Sequence, residues 1–86
     1  MVNSPQFLQA ADAVKTLNKK PDNDSLSVLY GLYKQATVGD NNTPKPGMFD
    51  MKGNVKWNSW NKYKGYSVYK AEIEYITFVN SLLEND

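Results

Sequence analysis

At 86 residues the chain has the size of one small domain and leaves no room for a second. It contains no cysteine and no histidine, which excludes the usual zinc sites, thiol chemistry and imidazole-based proton transfer. The net charge of +1 conceals a gradient: all ten basic residues are lysines, and seven of them lie between positions 34 and 70 against only Asp40 and Asp50.

That local positive field favours an anionic partner. Base readout in duplex nucleic acid relies on arginine forks, and the chain has no arginine, so a small anion fits better than nucleic acid. No stretch approaches the roughly 18 consecutive apolar residues of a membrane span. Residues 1–10 lack the charged start and unbroken apolar run of a leader sequence. The expectation is a cytoplasmic protein with no stable membrane insertion.

In chain order, Ser4 and Pro5 are a helix start, a capping hydroxyl followed by a residue whose φ is already helical. Phe7, Ala10, Ala11, Val14 and Leu17 recur every three or four residues and give this first helix one apolar face. Lys19, Lys20 and Pro21 close it.

Asp22, Asn23 and Asp24 are cap candidates for a second helix. Leu26, Leu29, Tyr30, Tyr33 and Thr37 share one of its faces, and Val28, Leu32 and Ala36 an adjacent one. Gly31 in its interior costs about 1 kcal/mol against alanine, a cost that close approach of another backbone would explain. Gly39 suits the stop. Within this helix Tyr30, Tyr33 and Lys34 form a patch of two phenols and a cation. Such a patch suits a ligand with a π-face and an anion, as a nucleotide has; tyrosines at this spacing also serve simply as core.

Residues 40–52 form a long loop, a length that is uncommon without a function. Its Met48, Phe49 and Met51 are expected to pin it onto the helices. A third helix is expected over 54–64, with Trp57 and Trp60 as core anchors and Gly65 at its end. Ser67 caps a fourth helix running to about Leu83, striped by Val68, Ala71, Tyr75, Val79 and Leu82. No segment alternates like a strand. The fold class is therefore all-α, a four-helix bundle with the long loop between helices 2 and 3. Nothing resembles a coiled-coil seam, and a monomer is expected.

Residues 30–40, Tyr-Gly-Leu-Tyr-Lys-Gln-Ala-Thr-Val-Gly-Asp, resemble the signature of the acyl-CoA-binding proteins. So do Pro46-Gly47-Met48, Lys56-Trp57-Asn58-Ser59-Trp60, Lys64-Gly65, Lys20-Pro21 and Glu74-Tyr75-Ile76. The resemblance runs from about Phe7 to Leu83 and implies that residues 1–86 are a single acyl-CoA-binding domain. It implies a carrier and pool former for long-chain fatty acyl-CoA esters, with no cofactor, no metal and no catalytic residue. Acyl-CoA-using enzymes would be transient partners.

Carried over from the family, Tyr30, Lys34 and Lys56 would meet the phosphates and Tyr33 would stack on adenine. Lys15 would approach the adenine, Ala11 would line that edge, and Tyr75 would close the pocket with its hydroxyl. Lys52 would add charge at the end of the loop. Ser27 departs from the pattern, standing where the family often has an apolar residue of the acyl groove; Tyr66, Val68 and Tyr69 depart at the start of the last helix. The alternative is a protein- or membrane-docking regulatory module on the same fold, using the basic middle of the chain and the aromatics near Tyr66. An enzyme such as a thioesterase would need a histidine, a cysteine or a Gly-x-Ser-x-Gly elbow, none of which is present.

Overall fold

The structure, a computed structural model, describes residues 3–86. Met1 and Val2, which open both the stretch read for a leader and the expected 1–86 domain, lie outside the described residues. Among the described residues there are four α-helices and no strand: α1 (Pro5–Ala13), α2 (Asn23–Thr37), α3 (Met51–Asn61) and α4 (Val68–Glu84), with a 3₁₀ turn over Val14–Thr16.

Each helix starts on a short polar side chain that takes up a backbone N–H left without an intrahelical partner. Ser4 accepts from Phe7 at 3.2 Å, Asp22 from Ser25 at 2.8 Å, Asp50 from Gly53 at 3.0 Å and Ser67 from Lys70 at 3.0 Å. Three boundaries differ from the sequence reading, one of them the end of the third helix, which comes at Asn61 and not at 64, with turns following to Gly65. The first helix stops as an α-helix at Ala13, where the Thr16 hydroxyl bonds back to the Ala13 carbonyl at 2.7 Å and Leu17 turns extended. The third starts at Met51 and not at 54, because the Asp50 carboxylate caps it.

The long loop is also held differently from the expectation. Met48, Phe49 and Met51 are 83%, 93% and 78% exposed, so they do not pin it to the helices. Polar bonds hold it instead: the Trp57 indole N–H donates to the Thr43 carbonyl at 3.0 Å and that of Trp60 to the Gly39 carbonyl at 2.7 Å. Asn54 Nδ2 donates to the Gly47 carbonyl at 2.8 Å. Trp60 is buried, as a core anchor should be, while Trp57 is half-buried.

The helices lie side by side in a slab of 37 × 30 × 15 Å. α2 packs on both α3 and α4, and α4 packs on α1. No Cα of α1 comes within 8 Å of one in α2, nor any of α3 within 8 Å of one in α4. The two flanking helices are thus spread apart across α2 and α4. The core fills the space between α1, α2 and α4 with Phe7, Leu29, Leu32, Ala36, Ala71 and Val79. α3 is joined more closely, at Gly31: a Cβ there would lie 2.8 Å from the Ser59 carbonyl carbon, 2.6 Å from the Tyr63 ring, and closer still to the Ser59 carbonyl oxygen. The close backbone approach that would justify this glycine is present.

Buried polar side chains complete the frame. Glu72 accepts from Asn3 Nδ2 at 2.7 Å and from the Ser4 N–H at 3.1 Å, and Asn3 also donates to the Ala36 carbonyl, so the start of α1 is bound to α2 and α4. Gln35 donates to Asp40 and to the Tyr66 carbonyl, both at 2.9 Å, and Asp40 accepts from the Gly65 N–H at 2.8 Å. These bonds fix the end of α2 against the α3–α4 connection. At the other end of the slab, Asp86 accepts the Asn18 and Lys19 N–H groups.

Candidate ligand-binding groove

The splaying of α1 and α3 leaves an open groove of about 1050 Å³ over α2. Its α2 wall is the face carrying Leu26, Leu29, Tyr30 and Tyr33, positions spaced so that they stack along one side of the helix. The opposite wall is the start of α3, where Lys52, Val55 and Lys56 recur at the same helical interval. Val14 and Lys15 reach in from the 3₁₀ turn, and Tyr75 from α4. The groove therefore combines an apolar lining with four lysines, since Lys20 joins Lys15, Lys52 and Lys56.

Its aromatic side is built on Phe7. That ring is fully buried and lies 5.7 Å from Tyr33 in a near-parallel stack at 26°, and 4.9 Å from Tyr75. Tyr33 and Tyr75 are 6.0 Å apart. The Phe7 ring thus fixes the plane of Tyr33, which is 42% exposed and free to receive a flat partner. Burial, helped by the neighbouring Tyr33, pushes the Tyr75 phenol above its ordinary pKa, so it is a neutral hydrogen-bonding group at physiological pH.

The structure brings together six of the residues singled out from the sequence: Lys15, Tyr30, Tyr33, Lys52, Lys56 and Tyr75. The Lys56 ammonium stands 5.7 Å from the centre of the Tyr30 ring, pairing a cation with a phenol across the two walls. Lys34 and Ala11 are not in the lining. Lys34 holds its ammonium 4.7 Å over the Trp60 ring, and Ala11 packs half-buried against the core. Sequence reasoning had left out Val14, Lys20, Met51, Val55 and Ser59. Leu26 and Leu29 carried a signal, since they continue the Tyr30–Tyr33 face; Val55 and Ser59 carried none that a single helix pattern reveals. Ser27 and Ser59 join their hydroxyls across the α2–α3 contact, beside the groove.

A family model described as "Acyl CoA binding protein" matches residues 4–79. The chain belongs to the acyl-CoA-binding protein family. A Drosophila melanogaster acyl-CoA-binding protein homolog is 55% identical over 80 residues, covering 93% of each chain. The acyl-CoA-binding protein of Saccharomyces cerevisiae is 51% identical over 80 residues, covering 93% of this chain and 92% of that one. Among solved structures, the crystal structure of Oryza sativa acyl-CoA-binding protein 2 superposes with a TM-score of 0.89 at 44% identity, over 93% of this chain and 89% of the other. The solution structure of the yeast acyl coenzyme A binding protein gives a TM-score of 0.75 at 50% identity, over 95% of both. In this member of the family, the residues 30–40 signature forms the end of α2 and its exit, and the Lys-Trp-x-x-Trp motif lies on α3.

Proposed function

We propose that this chain binds long-chain fatty acyl-CoA esters one-to-one in the groove and serves as their carrier, without acting on them as an enzyme. Membership of the family supports the ligand class. The observation that carries the reading for this chain is the groove itself, in which one continuous surface joins lysines, phenols and aliphatic side chains.

Each part of such a ligand finds a matching group. Lys56, with Tyr30 beside it, meets the phosphates, and Lys52 adds charge on the same helix. Tyr33, braced by Phe7, stacks on adenine, a contact worth about 1–3 kcal/mol per base in nucleic-acid complexes. Lys15 reaches the adenine from the 3₁₀ turn, near Ala11, and Tyr75 closes the base of the site with its hydroxyl. Lys34 acts on the phosphates from beside Trp60 once its ammonium leaves the indole ring. The acyl chain runs along Leu26, Leu29 and Val55, gaining about 0.8 kcal/mol per buried methylene. The thioester therefore binds far more tightly than free CoA.

Calorimetric titration with palmitoyl-CoA, CoA and palmitate tests the reading. Tight one-to-one binding of palmitoyl-CoA, with CoA and palmitate each much weaker, is the expected result. Equal affinity for palmitate and palmitoyl-CoA, or no binding of either, would overturn it.

A further inference from the structure

A second, smaller hollow of about 220 Å³ lies beside the α2–α3 contact, lined by Asp24, Ser27, Val28, Ser59, Lys62 and Tyr63. Among the described residues, Ser27 and Ser59 alone line both this hollow and the groove. Their hydroxyls are hydrogen-bonded to each other, so the pair forms a polar sill between the two spaces. The two sides of the sill differ in character. The groove side carries Leu26, Leu29 and Val55, whereas the lining of the far side includes the exposed Asp24 and Lys62. The Ser59 hydroxyl donates to the Val55 carbonyl at 2.8 Å, so the bond between the two serines takes its proton from Ser27. Among the described residues no donor reaches the Ser27 oxygen in return.

We propose that the Ser27–Ser59 pair sets an upper limit on the length of saturated acyl chain that the groove favours. The inference rests on the acyl-CoA reading and adds to it which esters this chain selects. Along an apolar wall each further methylene tightens binding about fourfold. At the sill that gain ends. A methylene laid over Ser27 strips water from an oxygen that no protein donor reaches, and a hydrocarbon has no donor to replace it. A chain long enough to cross would then leave the apolar wall for a hollow with a carboxylate and an ammonium in its lining. The sill is also held in place. Ser59 is buried and its carbonyl lies against Gly31, so α2 and α3 have no slack at this point to let a longer chain pass between them.

The test is displacement calorimetry of the full chain with saturated acyl-CoA esters from decanoyl- to docosanoyl-CoA, on the parent, Ser27→Ala and Ser27→Thr. In the parent, affinity should rise with chain length and then level off within the series. Ser27→Ala removes the unpaired oxygen at a half-buried position of α2, and the ratio of docosanoyl- to decanoyl-CoA affinity should rise about tenfold. Ser27→Thr keeps the hydroxyl and should keep the parent's ratio. The ratio is the readout because a general loosening of α2 against α3 would weaken every ester together and leave it unmoved. Affinity that climbs through the whole series in the parent, or an unchanged ratio in Ser27→Ala, would overturn the proposal and leave the carrier reading standing. So would an equal rise in Ser27→Thr, since the hydroxyl would then not be the cause. Failure of the parent to bind any ester would overturn both.

Discussion

Replacing Gly31 by alanine sets two physical effects against each other on one atom. By helix propensity alone the substitution should stabilise α2 by about 1 kcal/mol. The added methyl, however, meets the Ser59 carbonyl of α3 and the buried Tyr63 ring 2.6 Å away. The carbonyl is main chain in the last turn of α3, so the end of that helix must shift to make room. Overpacking of this kind costs about 1–3 kcal/mol, and the clash against main chain places Gly31→Ala toward the upper end. The expected balance is a net loss of roughly 1–2 kcal/mol, which lowers the urea midpoint by about 1 M at the slope usual for so small a domain. Urea unfolding followed by the fluorescence of Trp57 and Trp60, both on α3, measures it directly. Because α3 also carries Lys52 and Lys56, palmitoyl-CoA affinity should fall in the same variant. An unchanged or raised midpoint would refute the reasoning, since it would mean that the α2–α3 contact yields to a methyl group at no cost.

Other substitutions separate the roles of neighbouring residues. Trp60→Phe removes the 2.7 Å bond to the Gly39 carbonyl in a buried site and should cost about 1–3 kcal/mol in the same unfolding assay; Trp57→Phe, at a half-buried position, should cost less. Phe49→Ala should change stability by no more than about 0.5 kcal/mol, as expected of a side chain left in solvent. The Asp40 carboxyl is held below its ordinary pKa first by the Gly65 N–H and next by the Gln35 amide. Its folded value is the depressed one, so its stabilising contribution is complete above the ordinary carboxylate pKa and is lost as pH falls through the folded value. Thermal unfolding across the acidic range should show a shallower decline in Asp40→Asn than in the parent. Lys56→Ala should weaken palmitoyl-CoA binding about tenfold or more by calorimetry while leaving the urea midpoint near the parent value, because it removes a charge-assisted contact from an exposed side chain.

What could be read from the sequence was the chemistry that acts locally. Ser4, Asp22 and Ser67 cap the helices they appear to cap, because a hydroxyl or carboxylate there finds an N–H three residues on whatever the rest of the chain does. The apolar stripes of α2 and α4 placed Leu29, Leu32, Tyr75 and Val79 in the core. Asp50 caps α3 from inside the stretch 40–52, whose two prolines and glycine read as loop. Met48, Phe49 and Met51 show the limit of composition: apolar character says that a side chain gains by leaving water, but not whether this fold offers it a place. The groove was legible only in halves. Tyr30 and Tyr33 share a face by spacing, yet that Lys56 stands across from Tyr30, and that Phe7 braces Tyr33, depends on the splaying of α1 and α3 about α2. Lys34 shares the signature with Tyr33, but its ammonium lies over Trp60, outside the groove lining.

The central claim is that an acyl-CoA ester occupies the groove over α2. Amide-resolved nuclear magnetic resonance of the full chain, titrated with palmitoyl-CoA, tests it most directly. The expected result is a set of shifts saturating at one-to-one stoichiometry and centred on Lys15, Tyr30, Tyr33, Lys52, Lys56 and Tyr75, with exposed Thr77 and Asn80 on α4 undisturbed. Shifts that never saturate, or that centre on residues 66–70 and leave the groove unmoved, would contradict it.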